Sequence, residues 1–158
     1  MTFTLILTQG KVAIVDIEDM PRVAGYKWSA LRTKNGRWYA KARDGSRWIY
    51  LHRVIMGAPD ELDVDHKDHD GLNNRRDNLR LATRTQNLGN QRRRRSKNKF
   101  KGYTAHPTPG RWIAQIRFKG KHVYIGAFSS EREAAEAYDR KALELYGEFA
   151  AINFPKGG

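Results

Sequence analysis

The sequence has no cysteine among its 158 residues. That absence excludes disulfide frameworks and cysteine-ligated zinc or iron–sulfur sites, so any metal has to be held by oxygen and imidazole. Acid is also scarce: 17 Asp plus Glu stand against 30 Lys plus Arg, giving a net charge of +13 and a pI near 10.2. An excess of that size points to a polyanionic partner, nucleic acid first and an anionic membrane second. Long apolar runs are missing too, and nothing approaches the roughly 20 residues that a spanning helix needs. MTFTLILTQGK lacks the basic start and cleavage site of a secretory signal. The expectation is a soluble, cytoplasmic protein without membrane contact. The length allows one ordinary domain or two small ones, and units of about 60 residues bury only roughly 60% of their unfolded surface, so neither core can be large.

Turn signals divide the chain. Residues 3–15 (FTLILTQGKVAIV) and 26–51 (YKWSALRTKNGRWYAKARDGSRWIYL) are aromatic and β-branched runs broken by QG, NG and DG, the pattern of antiparallel hairpins. Region 1–57 is therefore expected to be a small antiparallel sheet closed by a helical turn at HRVIMG. Trp28, Trp38 and Trp48 are assigned to its core, and His52, beside Leu51 and Val54, is read as structural. Residues 58–90 carry an acidic stretch and a helix. Residues 91–100 include Arg92, Arg93, Arg94 and Arg95 and no acid, a run that repels itself and reads as a linker. Its functional reading is phosphate contact in a DNA-bound state.

Residues 101–155 show a clear period. RWIAQIRF (111–118) alternates Trp112, Ala114, Ile116 and Phe118 with Arg111, Ile113, Gln115 and Arg117, as a half-buried strand does. HVYIG repeats the pattern with His122 and Tyr124 outward, and KGYTAH precedes it with Lys101 and Thr104 assigned outward. SSEREAAEAYDRKALELYG then reads as a helix. Ser130 and Glu133 make its capping box, Ala135, Tyr138, Ala142 and Leu145 its apolar stripe, and Gly147 its stop. Three strands on one helix leave a single free sheet face. A polar outer face is the plain reading; base contact is the functional one, since arginine pairs with guanine and glutamine with adenine in a groove that admits a sheet. KGY, RWIAQIR, HVYIGAF, AAEAYDRKALELYG and AINF closely resemble the ethylene-response-factor, or APETALA-type, DNA-binding domain over about residues 100–155. The resemblance implies a three-stranded antiparallel sheet packed on one helix and laid in the major groove of double-stranded DNA. At the face itself the chain departs from the plant pattern. Its first strand is reduced to Lys101 and Thr104, Gln115 stands where glutamate is favoured, and Tyr124 replaces a tryptophan. The plant target sequence is not expected to carry over.

ELDVDHKDHDGLNNRRDNLRL, residues 61–81, gathers Glu61, Asp63, Asp65, Asp68 and Asp70 with His66 and His69 in an otherwise basic chain. A cation, a proton-transfer role or a solvated turn would each account for it. Leu62 to Val64 alternates as a short strand delivering Asp65 and His66, DHDGLNNRRDN is a loop, and Leu79 to Leu81 returns as a strand. Thr83 and Gln86 then make a capping box that opens a helix with Asn87 in its first turns. This order can bring Asp65, His66, Asn78 and Asn87 to one point. Phosphodiester hydrolysis needs those types: oxygen ligands for a hard divalent cation, and a neutral imidazole to take a proton from water. A calcium loop is the rival, with His66, Asp68, Asp70, Gly71 and Asp77 at EF-hand spacing. Histidine in its first position and the lack of a long entering helix argue against it. Arg75 and Arg76 face phosphate or solvent in this reading.

VDH, Asn78 twelve residues on in DNLRLAT, and Asn87 nine further in TQN resemble the HNH nucleases, in the variant whose last position is asparagine. GYKW, LHRVIMG and GLNNRRDN are similar to the free-standing phage-type and homing-type members, several of which carry an ethylene-response-factor-like tail. The resemblance implies an α+β chain with a ββα-metal module. In it His66 is the general base, Asp65 and Asn87 hold Mg²⁺ or Mn²⁺, and Asn78 pins the loop so that His66 points correctly; the products carry 5′-phosphate and 3′-hydroxyl ends. His69 stands where glycine is common in these loops, with solvated residue, second ligand and phosphate contact as its alternatives. The expected protein is a metal-dependent DNA endonuclease of a bacterial cell or phage-infected host. It would cut one strand or both, as a monomer or homodimer, at sites chosen partly by its tail. A DNA-binding regulator with an inactive nuclease domain is the alternative class. RNA processing suits the sheet less, because the major groove of RNA is deep and narrow.

Overall fold

The computed structural model describes residues 1–90 and 98–155, so the arginine run at 92–95 lies outside the described residues. The chain divides into two compact units, Met1–Thr83 and Arg84–Gly158. Both are mixed α+β, built from small sheets and short helices. No helix among the described residues is long and apolar enough to cross a membrane.

The first unit opens with a hairpin of β1 (Thr2–Ile6) and β2 (Val12–Asp16). It turns at Gln9 and Gly10, whose φ values of 60° and 63° have the sign that a tight hairpin turn needs. A 3-10 turn (Ile17–Asp19) and helix α1 (Met20–Val23) interrupt the extended chain. Strands β3 (Ser29–Arg32), β4 (Trp38–Asp44) and β5 (Arg47–Tyr50) then form a second antiparallel sheet. The single N-terminal sheet expected from the hairpin signals is thus two sheets, separated where residues 17–28 are used for helical turns and for anchoring Trp28, whose Nε1 donates to the Val23 carbonyl at 2.9 Å. Helix α2 (Leu51–Met56) ends at Gly57 in the left-handed region, φ 55°. Strand β6 (Asp63–His66) pairs antiparallel with β8 (Leu79–Ala82), and between them β7 (Asn73–Asn74) pairs parallel with β2.

Alternation sets the core. Ala13 and Val15 of β2 and Ala40 and Ala42 of β4 point inward, meeting Val23, Trp28, Leu51 and Ile55. Only part of the expected tryptophan core forms. Trp28 is buried and Trp38 packs at the margin, but Trp48 is 49% exposed. The register explains it: Trp48 stands opposite Arg43, while Ile49 stands opposite buried Ala42, so Trp48 falls on the outward side of edge strand β5.

The second unit contains α3 (Arg84–Gly89), β9 (Tyr103–Ala105), β10 (Trp112–Phe118), β11 (Lys121–Phe128) and α4 (Glu131–Tyr146). The strands form one antiparallel sheet in the order β11-β10-β9, packed on α4. Ser130 caps α4 by accepting from Glu133 N–H at 3.2 Å, and Glu133 reaches back to the Ser129 N–H and hydroxyl. Buried Asp139 is a feature that the stripe pattern passed over. Its carboxylate accepts from the backbone N–H of Asn153 and of Phe154, each at 2.9 Å, and from the Asn153 amide at 2.8 Å. Asn153 Oδ1 in turn accepts from Lys101 N–H at 2.6 Å, which ties the segment leading into β9 and the segment following α4 to the helix. Gly102, at φ 89°, passes so close to α4 that a Cβ there would overlap the Tyr138 ring. Gly102→Ala is expected to destabilise this unit by about 3 kcal/mol, through overpacking plus a left-handed backbone. Urea titration followed by amide-exchange protection in α4 reads the effect; unchanged protection would mean that the ring moves aside freely.

Candidate active site

Strand β6 ends on Asp65 and His66, both 6% exposed. Its partner β8 places Arg80 opposite Asp65 and Leu79 opposite His66. Arg80 binds Asp65 Oδ2 through Nε at 2.9 Å and Nη2 at 2.8 Å, fixing the carboxylate's orientation.

Asn78, 7% exposed, closes the loop between these strands. Its Nδ2 donates to Asp68 Oδ1 at 2.9 Å and to the Asn73 carbonyl at 2.7 Å, and its Oδ1 accepts from Asp68 N–H at 3.0 Å. The Asn78 carbonyl accepts from Lys67 N–H at 2.9 Å. One carboxamide therefore joins the outgoing and returning arms directly after His66. The acids that crowd this stretch shape the loop. Asp68 Oδ1 accepts from Asp70 N–H at 2.8 Å, Asp68 Oδ2 from Asn73 Nδ2 at 2.7 Å, and Asp70 Oδ1 from Leu72 N–H at 3.0 Å, which are local side-chain turns. Burial opposes ionisation of Asp68, but the bonds from Asp70, Asn73 and Asn78 outweigh it and hold the carboxyl below its ordinary value. Strands rather than helices flank this loop, unlike an EF-hand.

His66 lies among rings and one amide. Its Nε2 is 3.4 Å from Asn74 Oδ1, and Asn74, fully buried, is seated by the parallel pairing of β7 with β2. The Tyr39 ring stands edge-on to it at 5.9 Å and His52 at 5.1 Å. Burial pushes the His66 pKa down, against the pull of Asn74 and of Asp68, Asp65 and Asp70, so the imidazole favours the neutral form that a base requires. By sequence Asn74 belongs to the loop DHDGLNNRRDN and His52 is structural. Neither carried a local signal of lying beside His66, because the parallel pairing and the α2 approach that place them are long-range. Gly71 packs closely on β4: a Cβ there would overlap the Trp38 carbonyl oxygen and sit 2.7 Å from the Tyr39 ring.

The other expected site residues have contacts or placements of their own. Arg76 is held internally, its Nε and Nη2 on buried Asp19 at 2.9 and 2.6 Å and Nη2 on the Ile55 carbonyl at 3.0 Å. Arg75 pairs with Asp77 at 2.7 Å. His69 takes a left-handed φ of 68°, and its N–H donates to the His66 carbonyl at 3.0 Å. Asn87 lies on α3, the first helix of the second unit. Among the described residues no three His, Asp or Glu side chains gather as a metal cage. A carboxylate such as that of Asp65 is an oxygen donor of the kind that suits a small hard cation.

In the second unit, register puts Ile113 opposite Thr104, Gln115 opposite Tyr124, and Arg117 opposite His122, on the side away from Ala114 and Ile116. Tyr124 is 65% exposed, and Arg117 and His122 are exposed with it. Arg111 just precedes β10, with Nη2 3.5 Å from the Ala127 carbonyl. Lys101 is not on this face. It shares parity with inward Tyr103, and its ammonium lies 5.5 Å from the centre of the Tyr138 ring and 3.4 Å from the Ala151 carbonyl; burial lowers its pKa to about 8.

Comparison with known proteins relates the sequence to two groups. The family model described as HNH endonuclease matches residues 49–88, from the end of β5 into α3. An uncharacterized HNH endonuclease of Acanthamoeba polyphaga mimivirus is 35% identical over 151 residues, covering 92% of this chain and 76% of that protein. This chain belongs to the HNH endonuclease family. Its C-terminal part is similar to AP2-like ethylene-responsive transcription factors. One from Arabidopsis thaliana is 47% identical over 62 residues, 38% of this chain and 11% of that protein. One from Oryza sativa subsp. japonica is 39% identical over 83 residues, 48% of this chain and 13% of that protein. The plant similarity is thus confined to a small part of each factor.

Proposed function

We propose that the chain is a metal-dependent DNA endonuclease whose C-terminal sheet helps to choose where it cuts. The observation that carries this reading is the Asp65–His66 pair, buried at the end of β6 behind a loop pinned by Asn78, in a chain of the HNH family. His66, kept neutral by burial, takes the proton from the water whose oxygen attacks phosphorus; the P–O3′ bond breaks and the departing O3′ takes a proton from bulk water, leaving 5′-phosphate and 3′-hydroxyl ends. Asn78 and Asn74 hold the loop and the imidazole during that transfer. In the family's pattern Asp65 and Asn87 would hold the divalent cation, Mg²⁺ or Mn²⁺, which would supply charge neutralisation for the reaction. Gln115, Arg117, His122 and Tyr124 are the base-reading candidates, with Thr104 and Arg111 at the margins of that face. The domain scheme that goes with this reading keeps a nuclease part to about residue 90, a basic linker at 91–100 and a DNA-reading part at 101–155.

Incubating supercoiled plasmid with the protein plus Mg²⁺ or Mn²⁺, and with EDTA, tests the proposal. Open circles or linears that form only with metal support it. Plasmid that stays supercoiled with either metal, yet shifts on the gel, supports the second reading: a DNA-binding regulator with a silent nuclease centre. One observation favours that rival, namely the commitment of Asp65 Oδ2 to Arg80.

A further inference from the structure

The outward face of the β3-β4-β5 sheet is unlike the rest of the first unit. Trp48 is 49% exposed there. Lys41 Nζ lies 3.7 Å from the centre of its ring and the Arg43 guanidinium 4.3 Å. Register explains the gathering: Arg43 is opposite Trp48 and Lys41 opposite Tyr50, so both cations and both rings share one side. The inward side is taken by Ala40, Ala42 and Ile49. No acidic residue occupies any outward position of these three strands. Two cations stacked on one half-exposed ring, with no carboxylate on the same side to neutralise them, suit an anion.

The face also leads somewhere. Tyr50 stacks on His52 at 5.6 Å, and Tyr39, two positions before Lys41 on β4, stands edge-on to both His52 and His66. The stripe Trp48, Arg43, Lys41, Tyr39 therefore ends at the candidate general base. From Tyr39 to Arg43 is four strand residues, about 13 Å at roughly 3.3 Å per residue. That length corresponds to about four base-pair steps of roughly 3.4 Å.

We propose that this face is a second DNA-binding surface, on which Lys41 and Arg43, steadied by Trp48, bind phosphates of the duplex within about four steps of the cut. The inference rests on the nuclease reading for its location and on charge complementarity for its ligand. It gives the nuclease unit its own sequence-independent hold on DNA, separate from the base-reading sheet.

The test uses the full-length protein in EDTA, with fluorescence anisotropy on a labelled short duplex between about 50 and 200 mM salt. The K41Q/R43Q variant is expected to lower the slope of log affinity against log salt by about 2, since each phosphate contact contributes about 0.9. K27Q/K34Q, which removes the same charge from exposed loop positions of the same unit, is expected to leave the slope at the wild-type value. A slope in K41Q/R43Q equal to that of K27Q/K34Q overturns the proposal. W48F keeps a ring for packing and serves as the second variant: wild-type tryptophan emission should be quenched by DNA, and W48F should lose part of that quench. Quenching unchanged in W48F, as expected if DNA met only the C-terminal sheet or if the face bound another protein, also overturns it. Binding and cutting are read separately. Metal-dependent cleavage with an unchanged slope sinks this inference alone, and a reduced slope without cleavage sinks the nuclease reading alone.

Discussion

His66→Ala is expected to lower metal-dependent plasmid cleavage by about 10²–10⁴-fold, the range that a positioned general base contributes. Affinity for DNA should stay near wild type, because the imidazole is buried and the expected DNA contacts lie elsewhere. Removing it does open a space beside Tyr39 and His52, so thermal melts must show that the unit still folds. The informative comparison is single-turnover cleavage with DNA in excess of its dissociation constant, where loss in the chemical step is separated from loss of binding. A variant that cuts at the wild-type rate would remove His66 from the mechanism. One that neither cuts nor binds would show that the ring acts as packing. His66→Gln adds a check, since it fills much of the space but cannot take up a proton. It should remain as inactive as the alanine variant.

Acid should unfold the first unit by way of His52. Burial, with His66 and Arg53 nearby, lowers its pKa from the ordinary 6.5 to about 3, and its Nδ1 is enclosed without a hydrogen-bond partner. The folded-state pKa lies below the unfolded one, so in the window between them the unfolded chain binds the extra proton. The stability contribution is complete above pH 6.5, shrinks as pH falls, and is lost near pH 3. Each pH unit of that window corresponds to about 1.4 kcal/mol, so the whole is at most about 4 to 5 kcal/mol, reduced where solvent reaches the ring. Tryptophan emission during melting reports mainly on this unit, which holds Trp28, Trp38 and Trp48. Wild-type protein should lose more in melting temperature than His52→Phe between about pH 7.5 and pH 4.5. Equal losses would mean that His52 is protonated without penalty in the folded state.

Local pattern carried much of this structure. The QG, NG and DG turns mark three hairpins, the alternation in RWIAQIRF and HVYIG orients β10 and β11, and the spacing of Asp65, His66 and Asn78 follows a strand, loop and strand. What escaped was set by contacts distant in sequence. Trp48 reads like a core residue until its register with Arg43 is known. Lys101 was placed outward although it has the parity of Tyr103. The parallel pairing of Asn73 and Asn74 with Ile14 and Val15 leaves no trace in a two-residue strand. Arg76 reads as facing phosphate or solvent because nothing local announces Asp19, its partner 57 positions away.

That same stapling bears on how such a protein can be recombined. The loop after His66 is seated on β2, and Arg76 is tied to Asp16 and Asp19, 60 and 57 positions upstream. A crossover that moved only residues 49–88 into a new host gene would transfer the histidine and leave behind the strand that seats its loop. The tail has a different boundary. Lys101, Asp139, Asn153 and Phe154 close on one another, but the Ala151 N–H donates to the Gly89 carbonyl and Gly89 lies against the Tyr146 ring, so a crossover that keeps this unit whole has to carry α3 with it.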